Sequence, residues 1–214
     1  MSTLELRDVS LTVAGRALVG PLSCVVESGT ILTISGPSSV GKSSLLAFLC
    51  GVLPSTFTGG GRVFLDESDI TAWTPQARRM GILFQDDLLF PHLSVGANLA
   101  FGLRAPRVPR RERARLIEEA LASMDLTGFS QRDPATLSGG QRARVSLLRV
   151  LLSQPRALLL DEPFSHLDPD ARQGAREVVF AEVRRRRLPA ILVTHDRADA
   201  EAAGGPSLEL EPRR

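Results

Sequence analysis

The stretch Gly36-Pro37-Ser38-Ser39-Val40-Gly41-Lys42-Ser43 decides the fold of this chain. Two glycines separated by four residues, then lysine and serine, mark a phosphate-binding P-loop when the stretch joins a strand to a helix. An apolar run at 30–35 precedes the motif, and a helical pattern at 43–52 follows it. Glycine allows backbone N–H groups to turn towards an anion, and the helix N-terminus adds a partial positive charge. The stretch therefore predicts a strand–loop–helix unit that binds nucleotide phosphates.

Individual residues of the P-loop have expected tasks. The Lys42 ammonium is expected to reach the terminal phosphates, and the Ser43 hydroxyl is expected to ligate Mg²⁺. The alternative is a chance glycine-rich turn, which the flanking strand and helix patterns disfavour. The candidates for nucleotide contact are Gly36, Pro37, Ser38, Ser39, Val40, Gly41, Lys42, Ser43 and Ser44.

Two acidic residues follow a second apolar strand. The run Ala157-Leu158-Leu159-Leu160 leads directly into Asp161 and Glu162, which matches a Walker B strand. Ligands of open α/β sheets bind at the carboxyl ends of strands, so Asp161 is placed to hold Mg²⁺. Glu162 is placed to polarise an attacking water. Alone, two acids after a strand are more often a helix cap, and that alternative stays open.

Strand and helix patterns alternate along the chain, which predicts an α/β fold with a parallel sheet covered by helices. Gly59-Gly60-Gly61 is interpreted as a loop, and the strand pattern at 4–13 has a slip near Asp8. Strands are predicted at 4–13, 17–27, 30–35, 62–65, 81–84, 157–160 and 190–194, and helices at 43–52, 111–124, 140–153 and 168–187.

Composition sets limits on the function. The chain has 214 residues and a formal net charge of +2, which gives no reason to expect nucleic acid as a partner. No apolar run reaches the length of a membrane span, and the first residues lack a secretory signal. Cys24 and Cys50 form no metal-ligand spacing, so they are expected to be reduced thiols. A cytoplasmic protein that reaches a membrane only by docking onto another protein is expected.

The run Leu137-Ser138-Gly139-Gly140-Gln141 forms a second anion-binding candidate. Ser138 is placed to cap a helix, and the two glycines expose backbone N–H groups at its start. The alternative for Ser-Gly-Gly alone is a capped helix without a ligand. Paired with the P-loop, however, this run resembles the signature of the ATP-binding cassette subunits of ABC transporters, and the resemblance covers nearly the whole chain.

The resemblance implies an α/β fold of the P-loop NTPase (RecA-like) type. Its parallel-sheet core would carry an N-terminal antiparallel β subdomain and an inserted helical subdomain. A single ABC ATPase domain at 1–214 is implied, with its core at 1–85 and 155–214 and its helical subdomain at about 86–154. ATP and Mg²⁺ are the implied cofactors. Two cassettes, as a homodimer, would pair head to tail and hold ATP between them.

The resemblance also assigns roles to single residues. Ser138, Gly139, Gly140 and Gln141 would bind the ATP of the partner cassette. Gln85 matches the Q-loop glutamine, which touches Mg²⁺ or the attacking water. His195 matches the switch histidine at the γ-phosphate, although a lone histidine at a strand end is more often structural. Asp168, at the end of the run Ser165-His166-Leu167-Asp168, matches the D-loop at the subunit interface.

One position departs from the family pattern. The family places an aromatic residue near the end of the first strand, where it stacks on adenine. Val13 stands about there in this chain, and no Phe, Trp or Tyr precedes Phe48. This departure predicts weak recognition of the base, with Arg16 as a possible substitute surface.

The segment 86–99 resembles the part of bacterial importer cassettes that receives a membrane subunit. The pattern at 84–91 and the run Leu137–Arg144 resemble those of the thiamine, iron(III), polyamine and sulfate importer group, and the chain is similar to the short YnjD-type cassettes. The implied partners are integral membrane permease subunits and, indirectly, a substrate-binding protein, on the inner face of the bacterial membrane. Two alternatives stay open: the apolar residues of this segment are core, or the chain is a non-transport soluble ABC ATPase of the iron–sulfur assembly type. The arginines at 104–115 are interpreted as a solvated helix face.

Overall fold

The computed structural model describes residues 2–103 and 109–212 of the chain. It consists of two compact units. The first comprises Met1–Ile82, Arg156–Glu162 and Phe180–Arg214, and the second comprises Leu83–Pro155 and Pro163–Val179. The division expected from the sequence, with a helical subdomain at about 86–154, stays a prediction.

An antiparallel sheet forms part of the first unit. Its strands lie in the order β2-β1-β4-β5, namely β1 (Leu4–Val13), β2 (Arg16–Val26), β4 (Phe57–Leu65) and β5 (Ser68–Asp69). The alternating apolar side chains of β1 are buried, as a half-buried strand requires. The pairing register shifts between Leu6 and Val9, where Asp8 has a φ of 50°. This bulge is the slip that the sequence predicts near Asp8.

The predicted loop at Gly59-Gly60-Gly61 is wrong, because all three glycines lie within β4. Gly59 pairs with Leu11 and Gly60 pairs with Ser10 of β1. A Cβ at Gly59 would lie 2.4 Å from Cε2 of Phe48, a residue of helix α1 (Lys42–Cys50). Glycine is thus needed here for close packing of a strand against a ring, not for a turn.

A parallel sheet forms the rest of the first unit's framework. Its order is β6-β7-β8-β3-β9, from β3 (Ile31–Ser35), β6 (Met80–Leu83), β7 (Ala157–Asp161), β8 (Ala190–Val193) and β9 (Ser207–Glu209). Strands β7, β8, β3 and β9 pair in parallel. The two sheets confirm the predicted α/β class, and β7 lies beside β8 as expected. The carboxyl ends of β3, β7 and β8 therefore lie at one edge of the sheet.

Helix α1, which carries the end of the P-loop, is held at both sides. Its apolar face packs into the core cluster shared with both sheets. Its last carbonyls accept hydrogen bonds from the buried guanidinium of Arg78, at the end of α2 (Pro75–Arg78): Nη1 lies 2.7 Å from the Phe48 oxygen and 2.8 Å from the Leu49 oxygen. A cation at a helix C-terminus also suits the helix dipole. Sequence analysis did not single out Arg78.

The second unit is helical. It contains α3 (Val95–Gly102), α4 (Arg110–Ala122), a 3₁₀ turn (Pro134–Thr136), α5 (Gly139–Leu152) and the first part of α6 (Pro169–Arg186). Sequence analysis interpreted the arginines at 104–115 as a solvated helix face, and those of α4 that are exposed agree with this. On the same surface Arg115 forms ion pairs with Glu112 and Glu119. Arg104 and Arg107 lie outside the described residues.

Helix α7 (Arg197–Ala203) belongs to the first unit. Among residues 2–103 and 109–212, no helix combines the length and apolarity that crossing a bilayer requires.

Candidate nucleotide site

The P-loop adopts a conformation that depends on its two glycines. Gly36 has a φ of 134° and Gly41 a φ of 89°, both in the region that disfavours residues with a side chain. A Cβ at Gly41 would also lie 2.7 Å from Cγ of Leu18. Between the glycines, the Val40 side chain is buried in the core and anchors the loop. The three residues before it, at 37–39, are exposed and leave the loop backbone open to a ligand.

Lys42 lies across the loop that precedes it. Its side chain is buried, and Nζ donates to the carbonyl oxygens of Gly36 at 2.7 Å and Pro37 at 2.8 Å. An ammonium carries three N–H donors, one more than these two carbonyls accept. Lys42, Ser43 and Ser44 also form the first turn of α1, where backbone N–H groups have no partner inside the helix. The loop thus concentrates donors and positive charge at one helix start.

Ser43 and Asp161 form the candidate magnesium site. The Ser43 hydroxyl donates to Asp161 Oδ1 at 3.1 Å. Burial raises the pKa of Asp161, although the hydrogen bond from Ser43 lowers it; the charge of Glu162 raises it further. A nearby cation would relieve this cost of ionisation. Within the described ranges no three His, Cys, Asp or Glu side chains cluster around a metal position. One carboxylate and one hydroxyl still fit Mg²⁺, which keeps waters and takes substrate phosphates as further ligands.

Glu162 and His195 meet at the same sheet edge. His195 Nδ1 lies 3.0 Å from Glu162 Oε2, and the histidine is the more exposed of the two. Glu162 is the first residue after β7 and has a φ of 46°. Its backbone N–H donates to the Val193 oxygen at 2.9 Å, which ties this turn to β8. A non-glycine residue with this φ is uncommon, and such conformations concentrate at functional sites.

The backbone below His195 is braced by residues that sequence analysis missed. Thr194 is buried; its hydroxyl donates to Asp199 Oδ2 at 2.8 Å and accepts from the Asp196 N–H at 3.1 Å. Asp196 in turn caps α7 by accepting from the Ala198 N–H at 2.8 Å. The signal was present as Thr-His-Asp before a helical pattern, which is typical of a helix N-terminus. These contacts fix where His195 leaves the strand.

The signature run begins α5 with a capping box, as the predicted Ser138 cap requires. Ser138 Oγ accepts from the Gln141 N–H at 3.3 Å, and Gln141 Oε1 accepts from the Ser138 N–H at 3.0 Å. The Gln141 side chain is therefore engaged by its own helix. Gly139 and Gly140 lie close to Leu167 and Ala171. The start of α5 thus lies beside the start of α6.

Asp168 and Gln85 also have defined surroundings in the second unit. Asp168 Oδ1 accepts from the Ala171 N–H at 2.9 Å, which caps α6. Gln85 Nε2 lies 2.9 Å from His166 Nε2. Both side chains belong to exposed residues. The structure thus brings Lys42, Ser43, Asp161, Glu162 and His195 together in the first unit, and the signature run with Asp168 in the second; the roles given to all of them stay predictions.

The position expected to face the base is the tip of a hairpin. Val13 pairs with Arg16 across a two-residue turn in which Ala14 and Gly15 have φ values of 49° and 76°. Positive φ at both positions is typical of the type I′ turn that joins tightly paired strands. Arg16 is exposed, and Val13 is partly exposed. An aliphatic and a guanidinium group thus stand where an aromatic ring was expected.

Comparison with known proteins identifies the family. A family model described as "ABC transporter" matches residues 19–165, which include the P-loop, the signature run and the Asp161-Glu162 pair. The "Uncharacterized ABC transporter ATP-binding protein YnjD" of Escherichia coli (strain K12) is 45% identical over 199 residues, which cover 93% of this chain and 91% of that protein. "Fe(3+) ions import ATP-binding protein FbpC" of Mannheimia succiniciproducens and of Pasteurella multocida are each 37% identical over 199 residues, which cover 93% of this chain but only 56% of those proteins. The chain belongs to the ABC transporter family, among its ATP-binding, ATP-hydrolysing subunits.

Proposed function

We propose that this protein is the ATPase subunit of a bacterial importer. It acts as a Mg²⁺-dependent homodimer that is peripheral on the inner face of the cell membrane and bound to permease subunits, with a substrate-binding protein as an indirect partner. The direction of transport follows from the names of its FbpC relatives, which are import proteins for Fe(3+). The single observation that carries the proposal is an exposed apolar groove in the second unit, described below.

ATP hydrolysis in this proposal uses the phosphate-binding P-loop and the acidic residues that end and follow β7. Lys42 and the first-turn N–H groups of α1 bind the phosphates. Ser43 and Asp161 hold Mg²⁺, which neutralises charge that develops on the phosphates. The Glu162 carboxylate accepts a hydrogen bond from the attacking water and so polarises it. His195 Nδ1, which contacts Glu162 Oε2, holds this carboxylate in place.

Two cassettes are needed in this proposal because each chain carries two anion-binding surfaces. The P-loop lies in the first unit, and the start of α5 lies in the second. Head-to-tail pairing around a two-fold axis completes two sites, each with the P-loop of one copy and Ser138 of the other. ATP binding closes this assembly and hydrolysis reopens it, which moves the attached permease subunits between two states.

The coupling groove, defined here as Leu88, Phe90, Phe101, Gly102 and Arg149, is the surface that fits a membrane subunit. Its volume is about 410 Å³, and it is open to solvent. Leu88 is 54% exposed and Phe101 is 70% exposed. The rings of Phe90 and Phe101 lie 4.8 Å apart, and the Arg149 guanidinium lies 5.7 Å from the Phe90 ring centre. Contiguous exposed apolar groups of this kind mark protein interaction sites.

Helix α5 holds the segment that forms this groove. Arg142 Nε lies 3.1 Å from the side-chain oxygen Oδ2 of Asp87. Ser146 Oγ donates to the backbone carbonyl oxygen of Asp87 at 3.0 Å. Arg149 donates to two backbone carbonyl oxygens, from Nη1 to Leu88 at 2.7 Å and from Nη2 to Asp87 at 3.1 Å. The same helix begins with the signature run. A shift of the groove therefore moves the signature run, which is the connection that coupled transport requires.

A buried amide fixes the other side of the groove. Asn98 in α3 is fully buried; its Oδ1 accepts from the Phe90 N–H at 2.7 Å. Its Nδ2 lies 3.1 Å from the Phe90 oxygen, 3.2 Å from the Leu93 oxygen and 3.1 Å from the Ser94 oxygen. Because the backbone at 90–94 is tied to a buried group, Phe90 is presented at a fixed place.

Changing the groove tests the importer proposal. We expect Leu88→Ser with Phe101→Ser to keep the ATPase rate of the isolated protein within about twofold, because exposed substitutions away from buried contacts change folding little. Binding to detergent-solubilised membranes from the native organism, and co-purification of an integral membrane protein, are expected to be lost. Leu89, which belongs to the segment 86–99 singled out above, is only partly exposed and is left unchanged.

Val52→Ser is the matched control, since Val52 is 54% exposed but lies in the first unit. It is expected to leave both ATPase and membrane-protein capture unchanged. If wild-type protein captures no integral membrane protein, the transport proposal fails and a non-transport ABC ATPase replaces it. If the double variant loses the basal ATPase together with its melting transition, the groove residues are core.

Because the hairpin tip carries Val13 and Arg16 and no aromatic ring, we expect the protein to select weakly between nucleotide bases. Stacking on an aromatic ring is worth roughly 1–3 kcal/mol per base. We expect wild-type protein to bind ATP and GTP with similar Kd, and Val13→Tyr to tighten ATP binding by up to about tenfold. Titrating both nucleotides against wild type, Val13→Tyr and Arg16→Ala checks this. Strong adenine selectivity of wild type that survives in Arg16→Ala would place base recognition elsewhere.

A further inference from the structure

His166 contacts two neighbouring residues, Gln85 and Asp86, which precede the coupling groove in the sequence. Its Nε2 lies 2.9 Å from Gln85 Nε2, and its Nδ1 lies 3.2 Å from Asp86 Oδ1. With the amide nitrogen of Gln85 towards the ring, His166 Nε2 is the acceptor and the proton on Nδ1 faces Asp86. That proton donates to Asp86. The three side chains therefore form one directed chain, from the Gln85 amide through the imidazole to the Asp86 carboxylate.

The backbone that carries His166 is braced on both sides. Arg172 Nη2 donates to the Ser165 oxygen at 3.3 Å and to the Leu167 oxygen at 3.2 Å. The Leu167 N–H also donates to the Phe164 oxygen at 3.2 Å. The imidazole thus stands on a fixed turn, although its own side chain is 57% exposed. Gln85, by contrast, is an exposed residue in a segment that follows the end of β6.

Stability of the fold does not account for this contact. Exposed hydrogen bonds and ion pairs contribute little to folding, because water competes for the same groups. A contact of this kind acts instead by selecting one orientation of a long, flexible side chain. Gln85 is the side chain that the family resemblance places at Mg²⁺ or the attacking water.

We propose that His166 is a positioning residue: it holds the Gln85 amide in the orientation that ATP hydrolysis requires, and Asp86 orients the imidazole. The proposal rests on the proposed ATPase function and on the Q-loop role that the family resemblance implies for Gln85. His166 lies in the run Ser165-His166-Leu167-Asp168, which the family resemblance assigns to the cassette interface. The contact therefore links the side chain of Gln85 to the segment that meets the second cassette.

The first measurement is steady-state hydrolysis by single variants. His166→Ala is expected to lower kcat by about tenfold, because loss of orientation slows a reaction without removing a reacting group. KM for ATP is expected to stay within about twofold of wild type, since Lys42 and the P-loop supply the binding. His166→Gln, whose amide oxygen can accept from Gln85, is expected to recover part of the rate. Gln173→Ala, which removes an exposed contact to Glu177 in the same unit, is the control and keeps the wild-type rate.

The second measurement is a double-mutant cycle with Gln85→Ala. If His166 acts through Gln85, His166→Ala has no further effect on kcat in the Gln85→Ala background. Equal tenfold losses in both backgrounds, or a wild-type kcat for His166→Ala, would overturn the proposal. A wild-type kcat for Gln85→Ala would overturn it together with the role of Gln85, while the ATPase assignment would still rest on Glu162. Melting temperatures close to that of wild type for all variants exclude unfolding as the cause of any loss.

Discussion

Replacing Glu162 by glutamine is expected to slow ATP hydrolysis by roughly 10²- to 10⁴-fold while ATP binding is retained. Glutamine has the same size as glutamate, and its amide oxygen can still accept a hydrogen bond from His195 Nδ1. In the wild-type protein this nitrogen lies 3.0 Å from the Glu162 carboxylate. What it removes is the negative charge that polarises water. Phosphate release in single-turnover and steady-state assays measures the loss.

Slow hydrolysis has a second expected consequence. ATP that is bound but not cleaved holds two cassettes together, so Glu162→Gln is expected to elute as a dimer in size-exclusion chromatography with Mg²⁺ and ATP and as a monomer without them. Glu177→Gln serves as the control, because Glu177 is an exposed carboxylate on α6. A Glu162→Gln protein that hydrolyses ATP at the wild-type rate would remove Glu162 from the mechanism.

Introducing arginine at Ser138 is expected to abolish hydrolysis, with a loss of at least about 10²-fold, while the isolated chain still binds ATP. The reason is geometric: Ser138 begins α5 in the second unit, whereas the P-loop is in the first. Arginine places bulk and charge where the γ-phosphate bound by the partner's P-loop has to lie. ATP binding to the isolated chain and steady-state hydrolysis are the two readouts.

Loss of the helix cap has to be separated from this effect. Removing a serine N-cap costs about 0.5–2 kcal/mol of stability, so the melting temperature of Ser138→Ala measures the cost of losing the cap. Mixing Ser138→Arg with Lys42→Ala chains rebuilds one intact site per heterodimer. An equal mixture is then expected to recover roughly a quarter of the wild-type rate, because half of the dimers carry one working site of two. Failure of the isolated Ser138→Arg chain to bind ATP would mean that the signature run serves its own P-loop.

Sequence alone predicted the features that depend on local pattern. The P-loop, the apolar strand before Asp161 and the Ser138 cap each follow from a few neighbouring residues, so their elements begin and end close to where they were expected. The parallel arrangement of β7 and β8 followed from helix patterns between apolar strands, since such crossovers give parallel pairing. The slip near Asp8 was visible because a bulge changes the alternation of buried residues.

The remainder depended on contacts between distant parts of the chain. Gly59 was mistaken for part of a loop because nothing near it in sequence shows that the Phe48 ring lies against the strand. Arg78 looked like any other arginine, although it caps α1. The contact between Gln85 and His166 joins residues that are far apart in sequence, so no local pattern predicts it. Spacing therefore identified which residues are candidates for the chemistry, and long-range packing decides how each is held.

The contacts from α5 have a consequence for how this cassette can be retargeted. Arg142, Ser146 and Arg149 hold the backbone and side chain at 87–88 from one helix, so the groove segment and α5 form one exchangeable part. A chimera that receives only a foreign groove segment would face three donors arranged for a different backbone. Under the importer proposal, a change of permease is therefore expected to require that the groove segment and α5 be replaced together.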